Sequence, residues 1–85
     1  MYNVYFIESQ KNYQVYVGYT SKTPEERLNE HNQGSNQFSK TYKPFKLIYF
    51  ETYHCKTDAI KRENFYKSGF GKRIKKAIIK EIKES

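Results

Sequence analysis

Five side chains in this sequence are of types that could act together on a phosphate ester: Tyr5, Tyr16, Arg27, His31 and Glu63. A guanidinium such as that of Arg27 can hold two phosphate oxygens at once through paired N–H donors. A lone carboxylate such as Glu63 suits Mg²⁺, which takes hard oxygen ligands and keeps most of its waters, with Mn²⁺ as the alternative. His31 can take a proton from a tyrosine or contact a phosphate directly. A free tyrosine has a pKa of ~10, so base work by Tyr5 or Tyr16 requires nearby positive charge to depress it. Each group also has a plainer reading. The tyrosines could be sheet aromatics, Arg27 and Glu63 an ion pair between helices, and His31 a surface histidine.

The elements that would bring these groups together follow from spacing. Tyr2 to Glu8 alternates, with Tyr2, Val4 and Phe6 on one face and Asn3, Tyr5 and Ile7 on the other. Tyr13 to Tyr19 alternates again after a polar turn at Gln10, Lys11 and Asn12. The two runs predict a β-hairpin. Matching Val4 and Phe6 with Val15 and Val17 leaves Tyr5 and Tyr16 together on the opposite face. Gly18 lies on that face too, where a glycine can mark a bulge.

Thr23-Pro24-Glu25-Glu26 predicts a helix start, with Thr23 as the cap, proline in the first position and Glu26 closing a capping box. The helix runs to about Asn32 and stops near Gly34, which puts Arg27 and His31 on one face. Residues 33 to 44 are polar, carry Gly34 and Pro44, and read as a loop free to contact a ligand. Phe45 to Tyr53 reads as a central, well-covered strand, because Leu47-Ile48-Tyr49-Phe50 is apolar on both faces. A second helix starts at Thr57 or Asp58, ends at Tyr66 or Lys67, and is closed by Gly69 and Gly71. Ala59, Ile60 and Tyr66 mark its apolar side, and Glu63 shares that side. An inward carboxylate is costly unless paired or bound to a cation. From Arg73 to about Lys83, Ile74, Ala77, Ile78 and Ile82 stand against Lys72, Lys75, Lys76, Lys80 and Lys83, an amphipathic helix with a basic outer face. The order β-β-α-β-α-α predicts an α+β domain with a small three-stranded antiparallel sheet flanked by helices.

The pair Asn3-Val4-Tyr5 and Tyr16-Val17-Gly18 resembles the two tripeptides that name the GIY-YIG nuclease family. Arg-Leu-x-x-His at Arg27 to His31, the strand Phe45 to Glu51, and Ala59-Ile60-Lys61-Arg62-Glu63 match that family's order. Lys67-Ser68-Gly69-Phe70-Gly71-Lys72 looks like the tail of its small stand-alone bacterial members, similar to the nuclease domain of the excision-repair subunit UvrC. The likeness covers residues 2 to 82. It implies a phosphodiester hydrolase that uses one divalent metal, with Glu63 as the metal ligand and Tyr5 orienting or deprotonating the attacking water. Tyr16 would hydrogen-bond the same network, and His31 holds the position where members carry His or Tyr. Three positions depart from the pattern. Asn3 stands where glycine is typical, no asparagine follows Glu63 in the last helix, and Tyr19 replaces the lysine of some branches.

Charge points to the same kind of partner. Residues 1 to 66 hold nine basic and seven acidic side chains, whereas residues 67 to 85 hold seven basic and two acidic ones. A basic segment of this kind suits a polyanion. Lys72, Arg73, Lys75, Lys76 and Lys80, with Lys40 and Lys43 from the loop, are the expected contacts to a DNA backbone, single- or double-stranded. Such contacts carry no direct sequence information. A catalytically silent nucleic-acid-binding module is the competing reading, and a protein-interaction domain a third. The single cysteine, Cys55, excludes an internal disulfide and, with only His31 and His54, a Cys/His zinc site of four ligands. The length suits one domain over residues 1–85. No signal peptide or membrane span is evident, so a cytoplasmic protein is expected.

Overall fold

The computed structural model describes residues 1–85 and has the expected element order with one additional short helix. β1 (Tyr2–Ser9) and β2 (Val15–Thr20) form the hairpin; α1 (Pro24–Asn32), α2 (Gln37–Tyr42), β3 (Phe45–Tyr53), α3 (Lys56–Lys67) and α4 (Gly69–Glu84) follow. The strands make one antiparallel sheet in the order β2-β1-β3. Val4 pairs with Tyr19 and Phe6 with Val17, while Tyr5 pairs with Gly18 and Ile7 with Tyr16. The face assignment read from the alternation therefore holds.

Three expectations about the strands and the loop need correction. β3 is an edge strand, and β1 is the centre, buried from Asn3 to Ser9. The cover of β3 is also thinner than expected, with Leu47, Ile48 and Tyr49 half-buried and Phe50 exposed, so a run apolar on both sides shows neither full cover nor two paired edges. Second, β2 starts at Val15, because Tyr13 belongs to the turn with a left-handed φ of 60°. Two side chains build that turn. Ser9 Oγ accepts from the N–H groups of Lys11 (3.1 Å) and Asn12 (3.2 Å), and Asn12 Oδ1 accepts from that of Gln14 (3.0 Å).

Third, residues 33 to 44 are not a free loop. Asn36 caps α2 by accepting from the Ser39 N–H at 2.8 Å. The far end is tied to the hairpin turn: the Ser9 hydroxyl donates to the Tyr42 carbonyl (2.6 Å), and the Lys11 ammonium to that of Thr41 (3.0 Å). Backbone acceptors that a loop would leave to water are thus used by β1 and its turn.

α1 starts as its sequence dictates, with Thr23 accepting from the Glu26 N–H at 3.2 Å and Pro24 in the first turn. The glycines after α3 act differently from expectation. Ser68 ends α3 by donating its N–H to the Phe65 carbonyl, then caps α4 by accepting from the Gly71 N–H at 3.1 Å. A Cβ on Gly71 would fall on the Phe65 carbonyl, so glycine permits the sharp corner.

Helices cover both faces of the sheet. Val4 and Phe6 pack with Ala59 and Tyr66 of α3 and with Ile74, Ile78 and Ile79 of α4. Ile79 takes the packing place that periodicity suggested for Ala77, which is exposed. On the other face Tyr5, Ile7 and Phe45 pack against Leu28 of α1 and Phe38 and Tyr42 of α2. β3 is locked to α3 through Glu51, which accepts from the hydroxyls of Tyr49 (2.7 Å), Tyr53 (2.5 Å) and Tyr66 and from Arg62 Nε (3.0 Å). No helix is long and apolar enough to cross a membrane.

Candidate active site

Tyr5 sits in the middle of the central strand, directly opposite Gly18. A Cβ on Gly18 would fall inside the Tyr5 ring and hydroxyl, so the absent side chain is the space through which the ring crosses the sheet face. The hairpin register runs unbroken from Asn3 to Glu8, and Gly18 marks close approach rather than a bulge.

The ring leads to a buried chain of polar groups. Tyr5 Oη lies 3.0 Å from His31 Nε2, and His31 Nδ1 lies 2.8 Å from Ser39 Oγ. Tyr5, His31 and Ser39 are all buried. They come from β1, α1 and α2, so the short helix is part of the site. Burial, then the charge of Arg27, holds the His31 pKa below its ordinary value, which favours the neutral ring. Burial also pushes the Tyr5 pKa up. The positive charge of Arg27 opposes that rise, and the negative charges of Glu63 and Glu30 add to it. Burial wins, so the depression that base work by Tyr5 calls for is not built into the protein alone.

Arg27 is half-buried and donates to Glu30 at 3.0 Å, while Glu30 also pairs with Lys22. Glu63 is half-buried rather than inward; Ala59 and Tyr66 hold the core-facing positions. Its carboxylate pairs with Lys67, one turn on, at 3.2 Å. An Arg27–Glu63 ion pair between helices does not form. Both groups instead act on the Tyr5 hydroxyl through their fields.

Tyr16 is placed apart from this chain. Its hydroxyl accepts from Asn12 Nδ2 at 2.8 Å, and its ring packs edge-on against Phe38 at 4.6 Å. The hydrogen bond to the Tyr5 network that the resemblance implies is therefore absent. The reason is register: Tyr16 faces Ile7, two residues along the strand from Tyr5.

A cavity of about 360 Å³ is lined by Tyr5, His31 and Tyr16, whereas Arg27 and Glu63 lie outside its lining. The sheet, α1 and α2 contribute Tyr5, Tyr16, His31 and Phe38; α3 and α4 contribute Lys67, Lys72 and Lys75. Its lining draws on both sheet faces, which places it at the outer edge of β2. There Lys75 donates to the Val15 carbonyl at 3.1 Å, and burial, then Lys72 and Lys76, lowers its pKa. Arg73, Lys76 and Lys80 are exposed on α4 outside the cavity, and Lys40 and Lys43 are exposed at α2. Lys83 is not on a free basic face, because it pairs with Glu8 at 2.6 Å. Sequence reasoning missed Ser39 and Lys67. Nothing local distinguishes Ser39 in a polar stretch, whereas the four-residue spacing of Lys67 from Glu63 was a readable signal.

The donor set bears on which ion this site could hold. Glu63 offers one carboxylate, and no three His, Cys, Asp or Glu side chains converge. That suits an ion that retains its own waters, such as Mg²⁺, and not one needing a full protein cage. Asn3, the departure in the first tripeptide, is buried. It donates to the Lys22 carbonyl at 3.0 Å and accepts from the Thr52 hydroxyl at 2.7 Å, tying β3 to the chain after β2.

The GIY-YIG catalytic domain model matches residues 1–77 of this chain. A UPF0213 protein of Staphylococcus haemolyticus is 34% identical over 92% of this chain and 93% of its own length. Similar proteins from Staphylococcus saprophyticus and Staphylococcus aureus are 34% and 35% identical, over 89% and 79% of this chain and 92% and 80% of theirs. No solved structure matches.

Proposed function

Because the chain belongs to the GIY-YIG family of endonuclease domains, we propose that it hydrolyses DNA phosphodiester bonds with Mg²⁺ or Mn²⁺ and little sequence preference of its own. The observation that carries this reading is the buried Tyr5–His31 pair beside a cavity with a wall of Lys67, Lys72 and Lys75, with Arg27 one turn before His31 on α1 and Glu63 paired with Lys67 on α3. Glu63 is the residue that would hold the ion. When bound, that ion supplies positive charge to the phosphoryl oxygens and a water of lowered pKa.

The remaining work falls to the chain's own groups. Arg27 fixes a phosphate through its guanidinium fork. Tyr5 orients the attacking water, with His31 setting the polarity of the Tyr5 hydroxyl. Tyr16 shapes the cavity floor and keeps its own O–H free to donate. Lys72 and Lys75 draw backbone phosphates into the cavity, and Arg73, Lys76, Lys80, Lys40 and Lys43 add a diffuse attraction outside it. None of these contacts reads a base edge, which is the ground for low specificity.

The Lys67–Glu63 pair favours a second reading, a binding module without turnover, because it leaves the carboxylate already compensated. Nicking of labelled single- and double-stranded DNA with Mg²⁺, Mn²⁺ or EDTA separates the two. Metal-dependent cleavage that Glu63→Ala abolishes supports the enzyme. Equal background from both proteins, with DNA binding retained, supports the silent module.

A further inference from the structure

We infer that Ser39 is a positioning residue that holds His31 as the tautomer protonated on Nε2, so that the imidazole donates to the Tyr5 oxygen. The inference rests on the nuclease reading only for its catalytic consequence; the tautomer is argued from hydrogen bonding.

Ser39 is fully buried, and its hydroxyl has one hydrogen-bond partner, His31 Nδ1 at 2.8 Å. A hydroxyl carries one hydrogen, and a buried donor left without an acceptor is the more costly fault, while an acceptor with a spare lone pair is tolerated. If Nδ1 carried the ring proton it would donate to Ser39 Oγ, and the serine hydrogen would have nowhere to go. If Nδ1 is bare, the serine donates to it and the fault disappears. The proton then sits on Nε2, 3.0 Å from Tyr5 Oη. No buried side-chain nitrogen or oxygen is left without a partner in the structure.

The polarity matters at Tyr5. A donor at Nε2 reserves a lone pair of the Tyr5 oxygen for His31 and turns the tyrosine's own hydrogen toward the cavity it lines. Tyr5 then meets a ligand in the cavity as a donor, and any negative charge that develops on its oxygen is met by the His31 N–H. The opposite tautomer would spend the Tyr5 hydrogen on His31 and present only an acceptor to the cavity. Ser39 thus acts through His31 without touching substrate, as the third group that fixes a histidine's tautomer does elsewhere.

The direct test is the long-range ¹H–¹⁵N spectrum of the imidazoles in the full chain at neutral pH, with His54→Gln used to assign His31. Protonated Nε2 with bare Nδ1 is expected. A proton on Nδ1, or on both nitrogens, overturns the inference. In Ser39→Ala the population should spread to the other tautomer, kcat should fall roughly tenfold, and KM for DNA should stay within about twofold. Ser39→Thr, which keeps the hydroxyl, should restore both spectrum and rate. An unchanged spectrum in Ser39→Ala overturns the role of Ser39. A wild-type chain that cuts no DNA with either metal removes the nuclease reading and the catalytic half of this inference, while the spectrum decides the tautomer on its own.

Discussion

Arg62 Nε donates to Glu51 at 3.0 Å, and so the residue next to Glu63 in the chain is bolted to the edge strand of the sheet. The Arg62 guanidinium also lies over the rings of Phe65 and Tyr66, at 4.8 and 4.5 Å. This cluster, together with Ala59 and Tyr66 packed in the core, holds the rotation of α3 about its own axis and with it the direction of Glu63.

Glu51→Gln should therefore destabilise the fold by about 2 kcal/mol, since it removes the charge that strengthens four hydrogen bonds. Burial by itself would raise the Glu51 pKa, but the bonds from Tyr53, Tyr66, Tyr49 and Arg62 together hold it below the usual range. A depressed carboxylate contributes stability above its unfolded pKa of ~4.3 and loses it as pH falls through the folded value. Urea unfolding should show a gap between wild type and variant that is full at neutral pH and closes in acid. A gap independent of pH would contradict the charge argument.

Gly18→Ala should overpack the site by ~1–3 kcal/mol, because the new methyl and the Tyr5 ring claim the same space. The ring must move, so cleavage should fall further than thermal stability. Gly18→Ala in a Tyr5→Phe background is the control. If it lowers activity by as much as in wild type, displacement of the Tyr5 hydroxyl is not the cause.

Lysines of α4 should separate into two kinds. Lys72→Ala should weaken DNA binding and flatten its salt dependence by about one phosphate contact, a slope change of ~0.9 in log K against log salt. Lys83→Ala should leave that slope unchanged and lower stability by less than ~1 kcal/mol, because its partner is Glu8 and its side chain is half exposed. Filter binding at several salt concentrations checks the first, and thermal melts check the second.

His31 titration should appear in stability as well. Its pKa is lowered in the folded state, first by burial, so the unfolded chain takes up a proton at higher pH than the folded one. The contribution is complete above the unfolded pKa of ~6.5 and declines as pH falls toward the folded value. His31→Phe should flatten that part of the curve. At the other end, burial and Glu51 raise Tyr53 to about 12. A raised tyrosine contributes stability below ~10 that is lost as pH climbs through its folded value. Tyr53→Phe should therefore reduce the steepness of alkaline unfolding.

Most of the architecture was legible before any coordinates, because it depends on local chemistry. Alternation at Tyr2 to Glu8 and at Val15 to Tyr19 specifies which residues share a face, and the Thr23-Pro24-Glu25-Glu26 run specifies where α1 starts. The four-residue spacing of Arg27 and His31 follows from the helix pitch. Even Gly18 was visible as a residue with a special backbone role, although its reason was not.

Tertiary structure decided what depends on partners far away in the chain. β3 is an edge because the third strand of the sheet joins β1 on the side that β2 leaves open, a pairing choice that hydrophobicity on two faces cannot encode. α2 exists because its cap and its last carbonyls find partners, the latter in the turn of a distant hairpin. Ser39 becomes the partner of His31 for the same reason. The types of group able to do chemistry were written locally, but their hydrogen-bond partners were not. A side chain's choice among donors and acceptors is made only when burial removes water as the competitor.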